Sequence, residues 1–483
     1  MQATPRRCFL TALSALSALF SAVVCSVAVA DEDDAAQRIP TDVRGLYSPV
    51  EKSLEPQAAL PGGPRQYPRD TPKGEAELDE PRPPVLTNAK ARLQHRDAFF
   101  RDMTVDFYTR SQYFNQDNAI GHPSQAWAGG GALSIRTGYF DNWFKLEGAV
   151  ATSQPLYAPQ GEGGTLLLTA NQGEVSSVYI GNAHARVLGQ ELVAGRQLIK
   201  TPYINPYDTR MIPNSVEGLV ITRTLDEHHW LNYSLGYFWN FKARDSSYFV
   251  PFSEELGVEE DRGVLLTGTK IEIVEGVTLG GFNYYIADVL NTTFAEVDWV
   301  LPRFAHGVDF RVGANYTSQR TVGAELMRNG PFTTDQVSAR LAASYANATA
   351  YLAVSSNSKN AKLVSPFSSF PAYTNMDQMH FEDAGTTAFV GGVSYDFSEV
   401  ITDGLKLAVL YGNAYDVVDA LTELPLSDQR EVDVKLEYLP KSGPLTDLRL
   451  LFIYSHVEFP DNRPGERSQP QFHGYITYLL PAL

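Results

Sequence analysis

Between Gly195 and Gly218 the chain gathers Arg196, Lys200, Tyr203, Tyr207, Asp208, Arg210 and Glu217 around three prolines, Pro202, Pro206 and Pro213. Guanidinium groups present a fixed fork of donors to a carboxylate, and phenol rings add a flat apolar face with one polar tip. Arginines that face a lumen would offer such fixed donors to carboxylates. Three prolines rule out a continuous strand, so the segment is a long connector, and long ordered connectors are commonly functional. Catalytic signatures are missing elsewhere: no H-E-x-x-H, G-x-S-x-G or G-x-x-x-x-G-K-[ST] occurs. The nine histidines include one close pair, His228-His229, in a turn-like run. No metal site and no cofactor is expected.

The elements that must position these residues are strands. In Val308-Asp309-Phe310-Arg311-Val312-Gly313-Ala314-Asn315-Tyr316-Thr317 every second residue is apolar or aromatic, and Val432–Tyr438 repeats the pattern. Side chains on a strand point to opposite faces in turn, so each segment has a greasy face and a wet face. A half-buried soluble sheet or a lipid-embedded barrel with a watery lumen both satisfy that pattern.

The start of the chain helps to choose. Arg6 and Arg7 precede an apolar stretch from Phe9 to Val24, and Ala28-Val29-Ala30 closes it before the acidic run Asp31-Glu32-Asp33-Asp34. Residues 1–30 read as a secretory signal peptide. Both cysteines, Cys8 and Cys25, fall inside it, so the exported chain has no disulfide to hold it together. No later segment approaches the eighteen apolar residues of a spanning helix. A closed sheet in an outer membrane, or a soluble exported protein, remains.

Residues 31–102 form a Pro-rich, mostly disordered N-terminal extension: ten of the 29 prolines lie between Pro40 and Pro84, and apolar groups are too few to offset ordering entropy. A short helix is predicted within Leu86–Met103. Residues 103–483 carry recurrent alternation, clearest over Thr104–Phe114, Thr278–Ile286, Val308–Ser318, Val337–Tyr345, Phe389–Phe397, Leu405–Tyr411, Val432–Tyr438, Leu448–Ser455 and Phe472–Leu480. At roughly 20–24 residues per strand and connector, the span allows about 16–18 strands. The fold class expected is all-β, a transmembrane antiparallel β-barrel, wide enough for an aqueous channel. Formal charge is −17, and −19 once Arg6 and Arg7 are gone, which excludes a general nucleic-acid binder.

If the apolar face meets lipid, Asp106, Tyr108, Arg110 and Gln112 line the lumen, as do Asp309, Arg311, Asn315, Ser338, Arg340, Asp433, Lys435 and Glu437. A succession of inward arginines passes an anion from site to site. The plainer alternative is that each arginine pairs with a neighbouring Asp or Glu.

The run Gly195-Arg196-Gln197 through Asp208-Thr209-Arg210-Met211-Ile212-Pro213 and Glu217-Gly218 resembles the OprD-type family of substrate-selective outer-membrane porins. So do Arg110-Ser111-Gln112-Tyr113-Phe114-Asn115, the Ser365-Pro366-Phe367 to Tyr373 connector, Ala384-Gly385 to Tyr395-Asp396-Phe397, and Gly404-Leu405-Lys406-Leu407. The resemblance implies an 18-stranded barrel passing small, mostly carboxylate-bearing nutrients such as organic acids or amino acids through a constriction made by inward loops. It puts Arg196, Tyr203, Asp208 and Arg210 at that constriction. Arg110, Arg311 and Arg340 are the candidates for a basic ladder. Outer-membrane lipid and small carboxylate solutes are the expected partners, and the barrel stands as a monomer or a homotrimer in the bacterial outer membrane. The long extension and the acidic net charge depart from the family pattern, and the chain ends in Leu483 where outer-membrane barrels commonly end in Phe. Two other classes compete: a barrel enzyme of lipase type, and a soluble exported β-protein binding carbohydrate.

Overall fold

The computed structural model describes residues 85–483, apart from 119–121, 224–230, 302–306, 328–329, 441, 444, 447 and 462–466. The expected signal peptide, the extension up to residue 84 and the His228-His229 pair lie outside the described residues. The helix expected before the barrel is two short ones, α1 (Thr87–Leu93) and α2 (Ala98–Arg101). Asp97 caps α2, its carboxylate accepting from the Phe100 N–H at 3.4 Å.

The strands follow as β1 (Thr104–Gln116), β2 (Ser124–Arg136), β3 (Phe144–Tyr157), β4 (Val175–Val187), β5 (Gln190–Gln197), β6 (Ser215–Arg223), β7 (Leu231–Lys242), β8 (Val250–Pro251), β9 (Val264–Val274) and β10 (Val277–Ile286). Then come β11 (Leu290–Val300), β12 (Asp309–Thr321), β13 (Thr333–Tyr345), β14 (Ala348–Asn357), β15 (Thr387–Asp396), β16 (Leu405–Tyr415), β17 (Gln429–Tyr438), β18 (Leu448–Glu458) and β19 (Gln469–Pro481). Each pairs antiparallel with its sequence neighbours, and β1 closes on β19 with Arg110 opposite Thr477 and Gln112 opposite Tyr475. The two-residue β8 only borders the rim of β7, which pairs directly with β9. The wall therefore has eighteen strands. Closure of β1 on β19 leaves the wall without a free sheet edge, the condition for a sheet in hydrocarbon.

Alternation fixes which way each residue faces. Phe107 is 43 % exposed, whereas its neighbours Asp106 and Tyr108 are 3 % and 6 % exposed. Leu133, Ile135, Leu146, Val150, Leu219 and Phe452 also lie bare on the outer face. The polar set predicted for the lumen faces inward on β1, β12, β13 and β17.

Gly129-Gly130-Gly131 lies inside β2 and pairs with both β1 and β3. A Cβ on Gly131 would sit 1.9 Å from the Tyr108 carbonyl oxygen, so the close approach of these strands requires glycine. Short turns close one end of the wall, as at Leu188-Gly189, where φ of 52° and 75° gives the left-handed pair of a tight hairpin. At the other end lie long connectors, 158–174, 198–214, 243–263 and 358–386, whose buried residues fill much of the interior. Leu167, Leu168, Tyr203, Ile204, Ile212, Phe252, Phe367 and Phe381 are all under 7 % exposed.

Candidate functional site

The connector 198–214 is fastened to the wall at two places. At the first, Tyr203 packs edge-on against Tyr284 and Phe294, with ring centroids 5.9 and 6.4 Å away. Its hydroxyl donates to Thr317 Oγ1 at 3.0 Å, and its N–H donates to the Tyr284 hydroxyl at 3.2 Å. At the second, Arg110 on β1 donates to Asp208 Oδ1 at 2.7 Å and also to the Arg210 carbonyl oxygen. Gln112, two residues along the same face, donates to the Thr209 carbonyl at 3.0 Å. Wall donors thus grip the carboxylate and carbonyls of residues 208–210.

The connector 358–386 lies over β12 to β19 and is held by wall donors and wall acceptors together. Its backbone amides meet the acceptors. Tyr373 N–H donates to Ser338 Oγ at 2.8 Å; Asp377 N–H donates to Asp433 Oδ2 at 3.1 Å. Gln378 and Met379 N–H groups donate to the two oxygens of Glu431 at 2.8 and 2.7 Å. The Asp377 carboxylate in turn meets Gln471 at 2.6 Å and His473 Nε2 at 2.9 Å. Burial pushes the Asp377 carboxyl up, but His473 and Lys435 outweigh it and hold the group well below the usual carboxylate range.

Most inward cations are spent on such contacts. Arg311 forks onto Asp298 at 2.5–3.0 Å, and Arg340 reaches the same carboxylate at 2.7 Å while lying 4.5 Å over the Tyr373 ring. Arg449 donates to Glu437 at 2.5 Å and to the Tyr475 hydroxyl at 2.9 Å. The plainer reading of the arginines therefore holds for Arg110, Arg311 and Arg340: each is engaged by an acid.

Arg210 and Arg244 differ. Arg210 Nε donates to the Thr165 carbonyl and Nη1 to the Thr209 carbonyl, both at 3.0 Å, with the guanidinium 4.7 Å over Phe114. Arg244 donates to Thr209 Oγ1 at 2.6 Å and lies 3.9 Å over Tyr207. Among the described residues neither pairs directly with a carboxylate. Burial, then the neighbouring charge of Arg244, brings Arg210 down to about 10; burial lowers Arg244 as well. Two guanidiniums on aromatic faces, hung from one threonine, bring positive charge together inside the barrel.

The structure brings together Asp208 and Arg210 of the constriction set. Tyr203 is an anchor buried at 4 % exposure rather than a lining group. Arg196 must be corrected. It alternates with the outward Leu192 and Ala194 on β5, donates to the Val178 carbonyl at 3.2 Å, lies 3.7 Å from Glu217 and stacks on Phe249. Being one residue out of phase with Glu191 and Val193, it faces away from the lumen. Sequence reading missed Arg244, Asp298, Asp377 and Arg449. Arg449 had a signal, the inner phase of Leu448–Ser455; Arg244 and Asp377 sit in connectors, where no periodicity reports direction.

An eighteen-stranded closed sheet with inward connectors and a charged eyelet defines a transmembrane channel of the outer-membrane type. The model of the outer membrane porin, OprD family, matches residues 97–472, so the chain belongs to that family and to the bacterial outer membrane. Solved structures agree on the fold. A BenF-like porin from Pseudomonas fluorescens Pf-5 superposes with a TM-score of 0.72 at 18% identity, covering 79% of this chain and 100% of its own. Pseudomonas aeruginosa OpdK with vanillate gives 0.69 at 21% identity, with coverage of 79% and 99%. Acinetobacter baumannii OccAB2 gives 0.70 at 18% identity, with coverage of 80% and 100%. No curated protein sequence matches the chain. Membership removes the soluble carbohydrate-binding reading, and the relatives are channels rather than catalysts.

Proposed function

We propose that this porin passes small carboxylate-bearing solutes by passive, selective diffusion, and that Arg210 and Arg244 are the groups that meet the solute carboxylate. The carrying observation is that among the described residues these two cations, beside Thr209, have no acidic partner, while Arg110, Arg311, Arg340 and Arg449 are paired. A carboxylate entering the eyelet gains charge-assisted donors without first displacing a protein acid. The flat rings of Phe114 and Tyr207 beneath the guanidiniums suit a planar or aromatic acid, consistent with vanillate in the OpdK structure. Residues 1–30 act as a cleaved signal and 31–102 as a tether in this reading.

The test is single-channel recording in planar bilayers with a graded series of carboxylates, vanillate and benzoate included. Transient block of the current is expected, and Arg244→Gln should weaken it by about tenfold in apparent affinity, one charge-assisted contact's worth. Block by uncharged analogues equal to that by the acids would end the proposal.

A further inference from the structure

The wall beneath the connector 358–386 carries small residues at many of its inward positions, among the larger Tyr351, Val390 and Leu410. The inward positions Ala342, Ala353, Ala388, Ala408 and Ala414 are all under 7 % exposed, packed with Tyr373, Met376 and Phe381 of the connector in one cluster. Two inward glycines go further. A Cβ on Gly412 of β16 would lie 2.2 Å from Met376 Sδ and 3.1 Å from the Phe381 ring. A Cβ on Gly313 of β12 would lie 2.7 Å from the Tyr373 hydroxyl and 3.0 Å from Arg340 Nε. Carbon atoms in contact sit about 3.5–4.0 Å apart, so at both places the connector occupies space that any side chain would claim. Neither glycine has a left-handed backbone; the close approach is their requirement.

The connector is pinned on either side of these seats. Tyr373 is fixed from both directions, its N–H to Ser338 and its carbonyl oxygen accepting from the Tyr351 hydroxyl at 2.6 Å. Beyond Met376, the amides of 377–379 run to Asp433 and Glu431. A segment pinned at both ends and lifted in the middle has one direction to go, toward the channel axis.

We infer that Gly412 and Gly313 set the width of the pore: they are positioning residues that let Met376 and Tyr373 sink into the wall and keep the connector 358–386 out of the path. Bulk at either position narrows the channel without touching the solute-binding cations.

Single-channel conductance in potassium chloride reads this directly and does not depend on which solute the pore prefers. Gly412→Leu should lose roughly half the current or more, since the narrowest cross-section governs conduction. Adding Met376→Ala vacates the seat and should restore most of the loss, a recovery that general destabilisation would not give. Gly313→Val with Tyr373→Ala repeats the experiment on β12, should the first variant fail to insert. Heat-modifiable mobility on gels confirms a folded barrel in each case. Conductance of a folded glycine variant equal to or above that of the unmodified porin overturns the inference, as does a second-site change that restores nothing.

Discussion

The two inward connectors meet the wall through different groups at 208–210 and at 373–379. Residues 208–210 present a carboxylate and carbonyls to wall donors, Arg110 and Gln112, whereas 373–379 present backbone amides to wall acceptors, Glu431, Asp433 and Ser338, and the Asp377 carboxylate to Gln471 and His473. The difference decides what each leaves for the lumen. Asp208 is paired with the wall arginine Arg110, and Arg210 and Arg244 are held instead by carbonyl oxygens and the Thr209 hydroxyl. At β17 the carboxyl groups of Glu431 and Asp433 lie beneath the second connector, both at 0 % exposure. In a chain of net charge −17, two guanidiniums thus stand together beside Thr209.

The most damaging way to break this contrast is Arg110→Ala. It strands Asp208 and releases the Arg210 carbonyl together. Removing one partner of a buried pair costs roughly 3–5 kcal/mol, and the partial exposure of Asp208 places the loss here at about 3 kcal/mol or below. Carboxylate block should fall more than in Arg244→Gln, because the freed aspartate then opposes the solute; block left intact would mean that Asp208 does not need its arginine. Tyr203→Ala comes next. Loss of a ring packed on Tyr284 and Phe294 costs about 3 kcal/mol, read as a lower temperature for the gel-mobility transition, whereas Tyr203→Phe loses only the Thr317 hydrogen bond, about 1 kcal/mol.

The pH dependence of the two connectors should diverge as well. Asp377 titrates below its unfolded value, so the stability it contributes to 358–386 is complete above about pH 3.9 and is lost as pH falls through its lower folded value. Current noise from that connector should stay flat on acidification until below about pH 4. Arg210, brought down to about 10, keeps its charge until the solution approaches that value, so carboxylate block should be level across neutral pH and fade only in strong alkali. Block that faded near neutrality would reassign the responsible cation.

How far the sequence could be read follows from the same contrast. The wall was legible because a strand's two-residue period states direction at every position: the inward phase of Arg110, Arg311, Arg340 and Lys435 is visible in the letters. β2 escaped because Gly129-Gly130-Gly131 has no side chains to alternate. The partners escaped too, since Arg311 meets Asp298 from the neighbouring strand, and only register shows that they are close. In the connectors no period exists. Tyr203 and Asp208 carried the right residue types for a pore, yet one anchors and the other is clamped.

Arg196 is the sharpest instance and gives the smallest expected effect. It shares a motif-like run with Arg210, but it lies on β5 while Arg210 lies beyond the strand's end, so the strand's phase governs the first and the connector's fold the second. Outward at the rim, it interacts with Glu217 at 3.7 Å with a side chain 38 % exposed, an ion pair worth at most about 1 kcal/mol and screened by salt. Arg196→Ala should leave both conductance and carboxylate block within error of the unmodified porin while Arg210→Ala reduces the block. A matching loss in the two variants would mean that the constriction draws on residues outside the lumen, and the division between a wall that positions and connectors that select would no longer stand.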